Sequence, residues 1–181
     1  MSKGFCSHRA WLKAISITLF LLSTAGYAAP PGLMLSYDLT HDMLRMPDHF
    51  SVSVYEDGVA LVHYPEYMEK SGDYTVALTA SEVQELRLLL EHPLVQSFDP
   101  GQARAQKKAI DAQSQELFAI SDDSYSNFEI YTPGAEKSIR WANLSIDTRR
   151  YPEIGVFRKL AEIEADLLQL DQHSTASAVV D

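Results

Sequence analysis

Histidine and carboxylate side chains concentrate near the start of the chain, in residues 38–49. Four of them are suited to bind zinc or manganese: Asp38, His41, Asp42 and His49. No spacing such as HExxH, which places two ligands on one helix, is present. The composition therefore predicts an irregular polar surface loop, with a metal site as a hypothesis that a chelator-induced fall in melting temperature would test.

His63 is a second candidate, because Ser51 and Ser53 precede it on a neighbouring predicted strand. A serine–histidine mechanism also needs an acid that orients the histidine, and the sequence nominates none. There is no GxSxG elbow, phosphate-binding glycine loop or dinucleotide fingerprint, and no cysteine follows Cys6. We therefore expect no catalytic residues and no cofactor, and a hydrolase is kept only as a lesser alternative.

A polar loop at residues 65–73 offers a different kind of site. Proline and glycine interrupt it, and it exceeds the length of a tight hairpin turn. It presents Tyr67 and Met68, and loops on a rigid scaffold frequently carry binding residues. Tyr67 and Met68, with His63, are thus the candidate binding residues, although Tyr67 could instead fold back over the sheet.

Residues 50–64 read FSVSVYEDGVALVHY and predict a β-hairpin. A two-residue turn at Asp57-Gly58 would pair Val54 with Leu61. A three-residue loop that includes Glu56 pairs Val54 with Ala60 and collects the apolar side chains on one face. Because a shift by one residue changes which side chains share a face, we predict the three-residue loop.

Two helices are predicted from apolar residues at helical spacing, at residues 79–91 and 152–170. Thr79 and Glu82 form a capping box at the start of the first helix, and Pro152 suits the first turn of the second. Further strands are predicted at residues 33–37, which could lie at a sheet edge, and at 74–79, 117–120, 128–131 and 137–141. A short strand or extended connection is predicted at 94–98, and an exposed helix at 102–115.

Strands and helices in this order, without regular β-α-β alternation, predict an α+β domain. We expect an antiparallel sheet of about six to eight short strands, with the two main helices packed on it. The hairpin, the YTVALTASEVQELRLLL segment and the YPEIGVFRKLAEIEADLLQL segment resemble uncharacterised secreted α+β proteins of Gram-negative bacteria. That resemblance implies a similar scaffold and no activity.

The N-terminus is typical of a secretory signal peptide, residues 1–28. Lys3, Arg9 and Lys13 precede an apolar run at residues 14–25, which is shorter than a membrane span. We expect cleavage after Ala28, although retention as an anchor is the alternative. Residues 29–171 are then one domain, and residues 172–181 a flexible tail.

Export would make the mature chain strongly acidic. The full chain has a formal charge of −10, and removing three basic residues gives −10 − 3 = −13. This charge argues against nucleic acid and anionic membranes as partners. We therefore predict an exported periplasmic or extracellular binding or accessory protein that acts through loops or a sheet face on a protein partner. The narrower alternative is an acidic inhibitor of a cationic secreted enzyme; the oligomeric state is not predicted.

Overall fold

The computed structural model describes residues 30–41, 48–114 and 123–179. These residues form a seven-stranded antiparallel sheet with five α-helices, which confirms the α+β prediction and its strand number. The strands are β1 (Leu33–His41), β2 (Phe50–Tyr55), β3 (Val59–Tyr64), β4 (Gly72–Ala77), β5 (Ser124–Thr132), β6 (Ala135–Ala142) and β7 (Ser177–Ala178). The helices are α1 (Ala80–Leu90), α2 (Pro93–Gln96), α3 (Pro100–Ser114), α4 (Leu144–Arg150) and α5 (Gly155–Leu168). The predicted signal peptide, Asp42 and the predicted strand at residues 117–120 lie outside the described residues.

The strands follow the order β6-β5-β1-β2-β3-β4-β7 across the sheet. β1 therefore lies between β5 and β2 and not at an edge. It also runs to His41, so residues 38–41 belong to a strand and not to the predicted irregular loop. Their polar character misled the prediction, because alternate residues of a strand face solvent when helices cover only one side of the sheet.

The β2–β3 hairpin has the predicted three-residue loop. Val54 pairs with Ala60, and Val52 pairs with Val62. Gly58 has a φ of +86°, and a Cβ atom there would lie 2.8 Å from the carbonyl oxygen of Leu78. Glycine is thus required both by the backbone conformation and by the close approach of the chain that leads into α1.

The helices pack on the sheet face that carries the apolar side chains of the hairpin. Thr79 and Glu82 form the predicted capping box, and Leu86 and Leu90 of α1 are buried. From α5, Phe157 packs against Trp141 of β6, with ring centroids 4.9 Å apart. The opposite sheet face has no helix on it among the described residues, and its side chains are mostly polar.

Four helices differ from the predictions in type or in starting residue. Residues 93–96 form α2 where a strand or extended connection was expected, because Pro93 suits the first turn of a helix and the side chain of His92 accepts a bond from Leu94 N. Pro100 begins α3, which confirms the predicted helix but starts it earlier. α4 was not predicted. α5 begins at Gly155, so Pro152 precedes it and does not lie in its first turn.

The C-terminal segment differs from the predicted flexible tail over its described part. Residues 177–178 form β7 and pair with β4. Val179 N donates to Asp73 O at 2.8 Å, and the Thr175 hydroxyl both accepts from Ala77 N and donates to Ala77 O. Small polar residues suggested a tail, but they also allow the backbone to lie close along a strand edge.

Within the described ranges, the longest helices fall short of the length and apolar character needed to cross a lipid bilayer.

Candidate functional site

His63 lies at the centre of a bridge between two carboxylates. Its Nε2 is 2.6 Å from Asp48 Oδ1, and its Nδ1 is 2.6 Å from Asp73 Oδ1. β3 and β4 place His63 opposite Asp73, while Asp48 stands just before β2. We call Asp48, His63 and Asp73 the histidine bridge.

The electrostatics of the histidine bridge favour the imidazolium form. Its hydrogen bonds to Asp48 first and Asp73 second raise the pKa of His63 above 6.5. The pKa of Asp48 is lowered, chiefly by the hydrogen bond from Glu66 N and then by the bond with His63. Both ring nitrogens can donate only when the imidazole is protonated. Both hydrogen bonds of the bridge therefore form at pH values between the lowered pKa of Asp48 and the raised pKa of His63.

This geometry does not suit proton abstraction. Ser51 is the cross-strand partner of His63, as the sequence suggested. Both ring nitrogens, however, are bonded to carboxylates, so neither is placed to accept a proton from the Ser51 hydroxyl. The histidine bridge instead ties the residues before β2 to the loop after β3, since Asp48 Oδ2 also accepts from Glu66 N at 2.8 Å.

The loop that this bridge holds carries the two predicted binding side chains. Tyr67 is 47% exposed and Met68 is 42% exposed. Met68 N donates to Pro65 O at 3.0 Å, which closes a turn at the start of the loop. The structure therefore places Tyr67 and Met68 on the surface, next to a histidine that anchors the loop, while His63 itself is engaged in the bridge.

Only part of the predicted metal set comes together. His49 Nε2 lies 3.3 Å from Asp38 Oδ1. Asp38 and His41 are three residues apart on β1, and strand alternation directs them to opposite faces. Asp42 is outside the described residues. Within the part of the chain that the structure describes, no three His, Cys, Asp or Glu side chains are grouped so as to hold a metal ion, and the metal site stays a prediction.

A cleft that sequence reasoning missed lies between α1, the C-terminal end of α5 and the segment that follows α5. Its volume is about 410 Å³. Apolar side chains form its floor, and these are Val54, Leu78, Leu86, Leu167 and Leu170. Carboxylates from both helices stand around it, and these are Glu82, Glu85 and Asp166. We call this feature the acidic cleft.

The carboxylates of the acidic cleft are not equivalent. Glu82 Oε2 accepts from the backbone and hydroxyl of Thr79, and Oε1 lies 2.9 Å from His173 Nε2. These bonds, led by the one from the Thr79 backbone, lower the pKa of Glu82 to about 2. Partial desolvation, and then the charges of Glu162 and Glu85, raise the pKa of Asp166.

The rim of the acidic cleft concentrates negative charge, because Glu82, Glu85 and Asp166 all lie there. No lysine or arginine is among the described residues that line the cleft. His173 is the basic group there, and it is engaged with Glu82. A cation with an apolar stem would meet both needs of this surface, since it would neutralise the carboxylates and cover the leucine side chains.

The acidic cleft was not visible in the sequence because its parts are far apart along the chain. Glu82 and Glu85 belong to the first predicted helix, whereas Asp166 belongs to the second. A signal did exist, since Glu82 and Glu85 are three residues apart and share a helix face. Nothing in the sequence, however, brought that face to the end of α5.

Two buried carboxylates serve the fold. Glu164 accepts from the Tyr37 hydroxyl at 2.6 Å and from the Ser126 hydroxyl at 2.5 Å, which joins α5 to the middle of the sheet. Asp147 accepts from Lys107 Nζ at 2.6 Å and Trp141 Nε1 at 2.8 Å. α3 was predicted as an exposed helix, but its Lys107 is paired with a buried acid.

Burial, and then the neighbouring charge of Glu164, raise the pKa of Tyr37. Buried carboxylates whose hydrogen bonds are satisfied in this way stabilise the packing between layers and are not accessible to a substrate or ligand.

Comparison with protein-family models, with curated proteins and with solved structures found no match to this chain.

Proposed function

We propose that this chain is an exported, non-catalytic binding protein, and that its partner presents a cationic group with an apolar stem to the acidic cleft. The observation that carries the proposal is the combination of an apolar floor with carboxylates from two helices in a cleft of about 410 Å³. A lysine or arginine side chain of a partner protein has this chemistry, because its aliphatic part packs and its head is charged. The acidity of the whole chain supports the same class of partner.

The cleft can be tested with a small probe before any partner is known. The N-acetyl, N′-methylamide derivative of lysine should shift the methyl NMR signals of Leu86, Leu167 and Leu170 at millimolar concentration. The corresponding norleucine derivative has a similar stem without the charge, and it should produce much smaller shifts. Equal shifts from both probes, or none from the lysine derivative, would contradict the proposal.

A pair of double variants separates the cleft from overall acidity. Glu85→Gln with Asp166→Asn removes two charges from the cleft and should abolish the shifts caused by the lysine derivative. Glu69→Gln with Glu153→Gln removes two charges elsewhere and should leave them unchanged. Loss of the response in both variants would mean that net charge, and not the cleft, attracts the cation.

Partner binding is then measured with the full chain, expressed with its own N-terminus and carrying a tag joined to the C-terminus by a flexible linker. A partner recovered from envelope or culture extracts should bind the protein but not the Glu85→Gln/Asp166→Asn variant. Its association should slow steeply with added salt, since exposed charges are screened over about 8–10 Å at 0.1–0.15 M. The narrower alternative, inhibition of a cationic enzyme, additionally requires that the partner lose activity when saturated.

Export is part of this proposal and is supported by the basic start and apolar run of residues 1–28. The intact mass of the secreted protein should correspond to a chain that begins at Ala29. A mass that includes residue 1, with the protein retained in the membrane fraction, would support an anchor instead.

A further inference from the structure

β6 forms one edge of the sheet. Among the described residues its only strand neighbour is β5, and β6 spans eight residues. An unpaired strand edge presents a row of backbone donors and acceptors to any chain that can lie beside it.

The hairpin between β5 and β6 determines which residues of β6 direct their backbone N–H and C=O groups outward, away from β5. Its loop has two residues, Pro133 and Gly134, so the flanking pair Thr132 and Ala135 exchanges backbone hydrogen bonds. Hydrogen-bonded and non-hydrogen-bonded pairs alternate from there along an antiparallel ladder. Apart from the last residue of the strand, Ala142, the outward groups therefore belong to Glu136, Ser138 and Arg140.

These three residues have a charge pattern that is complementary to itself. If two copies of β6 run antiparallel with Ser138 opposite Ser138, Glu136 of each copy stands opposite Arg140 of the other. This alignment also places the outward backbone groups of Glu136, Ser138 and Arg140 in hydrogen-bonded pairs, for about six bonds at two per pair. Opposite charges directly across a strand pair are favourable, and like charges are unfavourable.

We propose that two copies of this chain pair through β6, related by a twofold axis at Ser138, with Glu136 of each copy against Arg140 of the other. An interface of this kind uses the same patch on both copies, as twofold symmetry requires. Neighbouring alignments are less suitable: moving the axis by one residue places Glu136 opposite Ser138, and moving it to Arg140 or Glu136 sets like charges against each other.

The side chains concerned are already held in place on the open face of the sheet. The guanidinium of Arg140 lies 4.1 Å from the ring centroid of Tyr125. The Ser138 hydroxyl donates to Glu129 Oε1 at 2.6 Å. Glu136 is exposed, and its charge contributes to the raised pKa of Tyr131, after desolvation. Arg140 is thus positioned, and a negative charge stands where the second copy requires one.

The proposal is tested by sedimentation equilibrium of the protein expressed with its own N-terminus. Edge pairing alone gives a small, weak interface, so the protein concentration should range from about 5 µM to 1 mM. We expect a concentration-dependent dimer. Glu136→Arg and Arg140→Glu should each weaken dimerisation about tenfold or more, because each sets like charges opposite one another. Glu69→Arg changes the charge by the same amount as Glu136→Arg but lies away from β6, so it should leave dimerisation unchanged.

The decisive molecule is the double variant Glu136→Arg/Arg140→Glu, which exchanges the two charges and should restore the dimer. Circular dichroism of each variant shows whether its fold is intact. A double variant that is folded but does not dimerise would overturn the proposed alignment. A wild-type protein that is monomeric at every concentration would overturn the proposal and would leave the edge to an extended segment of a different protein.

Discussion

The two edges of the sheet differ in how their backbone groups are satisfied. At the β4 edge, residues 175–179 follow the strand and bond to Ala77, Thr75 and Asp73. At the β6 edge, no described segment takes this role, and the charged residues Glu136 and Arg140 flank Ser138 along the strand. One edge is closed by the chain's own C-terminal segment, whereas at the other the described residues offer charged side chains, which natural sheets use to discourage uncontrolled pairing.

This difference indicates where the molecule tolerates change. The C-terminal segment contributes to stability, and it is also anchored to the acidic cleft through the contact between His173 and Glu82. Among the described residues no strand pairs with the outward side of β6, so an intermolecular contact there would displace none of them.

Deleting residues 172–181 should have the largest effect, because it exposes the backbone of β4. Several net-favourable hydrogen bonds are lost, each worth about 0.5–1.5 kcal/mol, so we expect a loss of roughly 2–4 kcal/mol in unfolding free energy. Aggregation should increase as well, since a bare edge pairs with other chains. Urea unfolding and light scattering measure both effects. Deleting residues 180–181 alone is the control and should change the unfolding free energy little. Equal stability of the two truncated proteins would show that pairing with the C-terminal segment does not stabilise β4.

A matched pair of proline substitutions compares the edges directly. Ala77→Pro removes the N–H that donates to the Thr175 hydroxyl at 3.0 Å, and it should cost about 1–2 kcal/mol in unfolding free energy. Ser138→Pro removes an N–H that faces away from β5, so we expect a change within about 0.5 kcal/mol, typical of a tolerant surface site. Thermal unfolding of both variants gives the comparison. If Ser138→Pro were the more damaging, the alternation we assign to β6 would be wrong.

Glu82 connects the covered edge to the helix cap, so its titration should appear in the acid stability of the protein. Its pKa is lowered from 4.5 to about 2 in the folded state. The stabilisation is therefore present above pH 4.5 and is lost as the pH falls toward 2. Glu82→Gln should lower stability at pH 6 by about 1 kcal/mol, in the range of helix-cap changes. The unfolding free energy of this variant should also fall less steeply between pH 4.5 and 2 than that of the wild-type protein. An equally steep fall would assign the acid sensitivity to other carboxylates.

The histidine bridge joins β3 and β4 near the covered edge and should have the smallest effect. The pKa of His63 is raised above 6.5 in the folded state. Its contribution is therefore complete below pH 6.5 and disappears as the pH rises through the folded-state value. His63→Gln should lower stability by a few tenths of a kcal/mol at pH 5.5, as for an exposed ion pair, and by less at pH 9. A loss that is independent of pH would show that the charged form of His63 is not what holds the loop.

Local patterns predicted much of this fold. The register of the β2–β3 hairpin and the capping box at Thr79 were both correct, because each depends on residues close together in sequence. The strand predicted at residues 137–141 was also correct, and strand alternation then accounts for the burial of Ile139 and Trp141. Errors arose where a polar sequence was read as irregular, as at residues 38–41 and in the segment that includes Thr175.

The candidate site was less accessible to such reasoning. The sequence singled out His63 but gave no partner for it, because Asp48 and Asp73 reach it from before β2 and from β4. The acidic cleft was missed altogether, since its carboxylates come from α1 and α5. Charges of one sign on two separate helices acquire meaning only when the helices are adjacent.

The amino-acid sequence by itself determined the α+β class, the hairpin register and the cap of α1, because apolar spacing, glycine at Gly58 and side-chain capping act within a few residues. Tertiary structure decided that β1 is central, that residues 175–179 close one edge, and that the acidic cleft exists. Each of these depends on contacts between segments distant in the chain, and their free energies depend on which surfaces pack together rather than on local propensity.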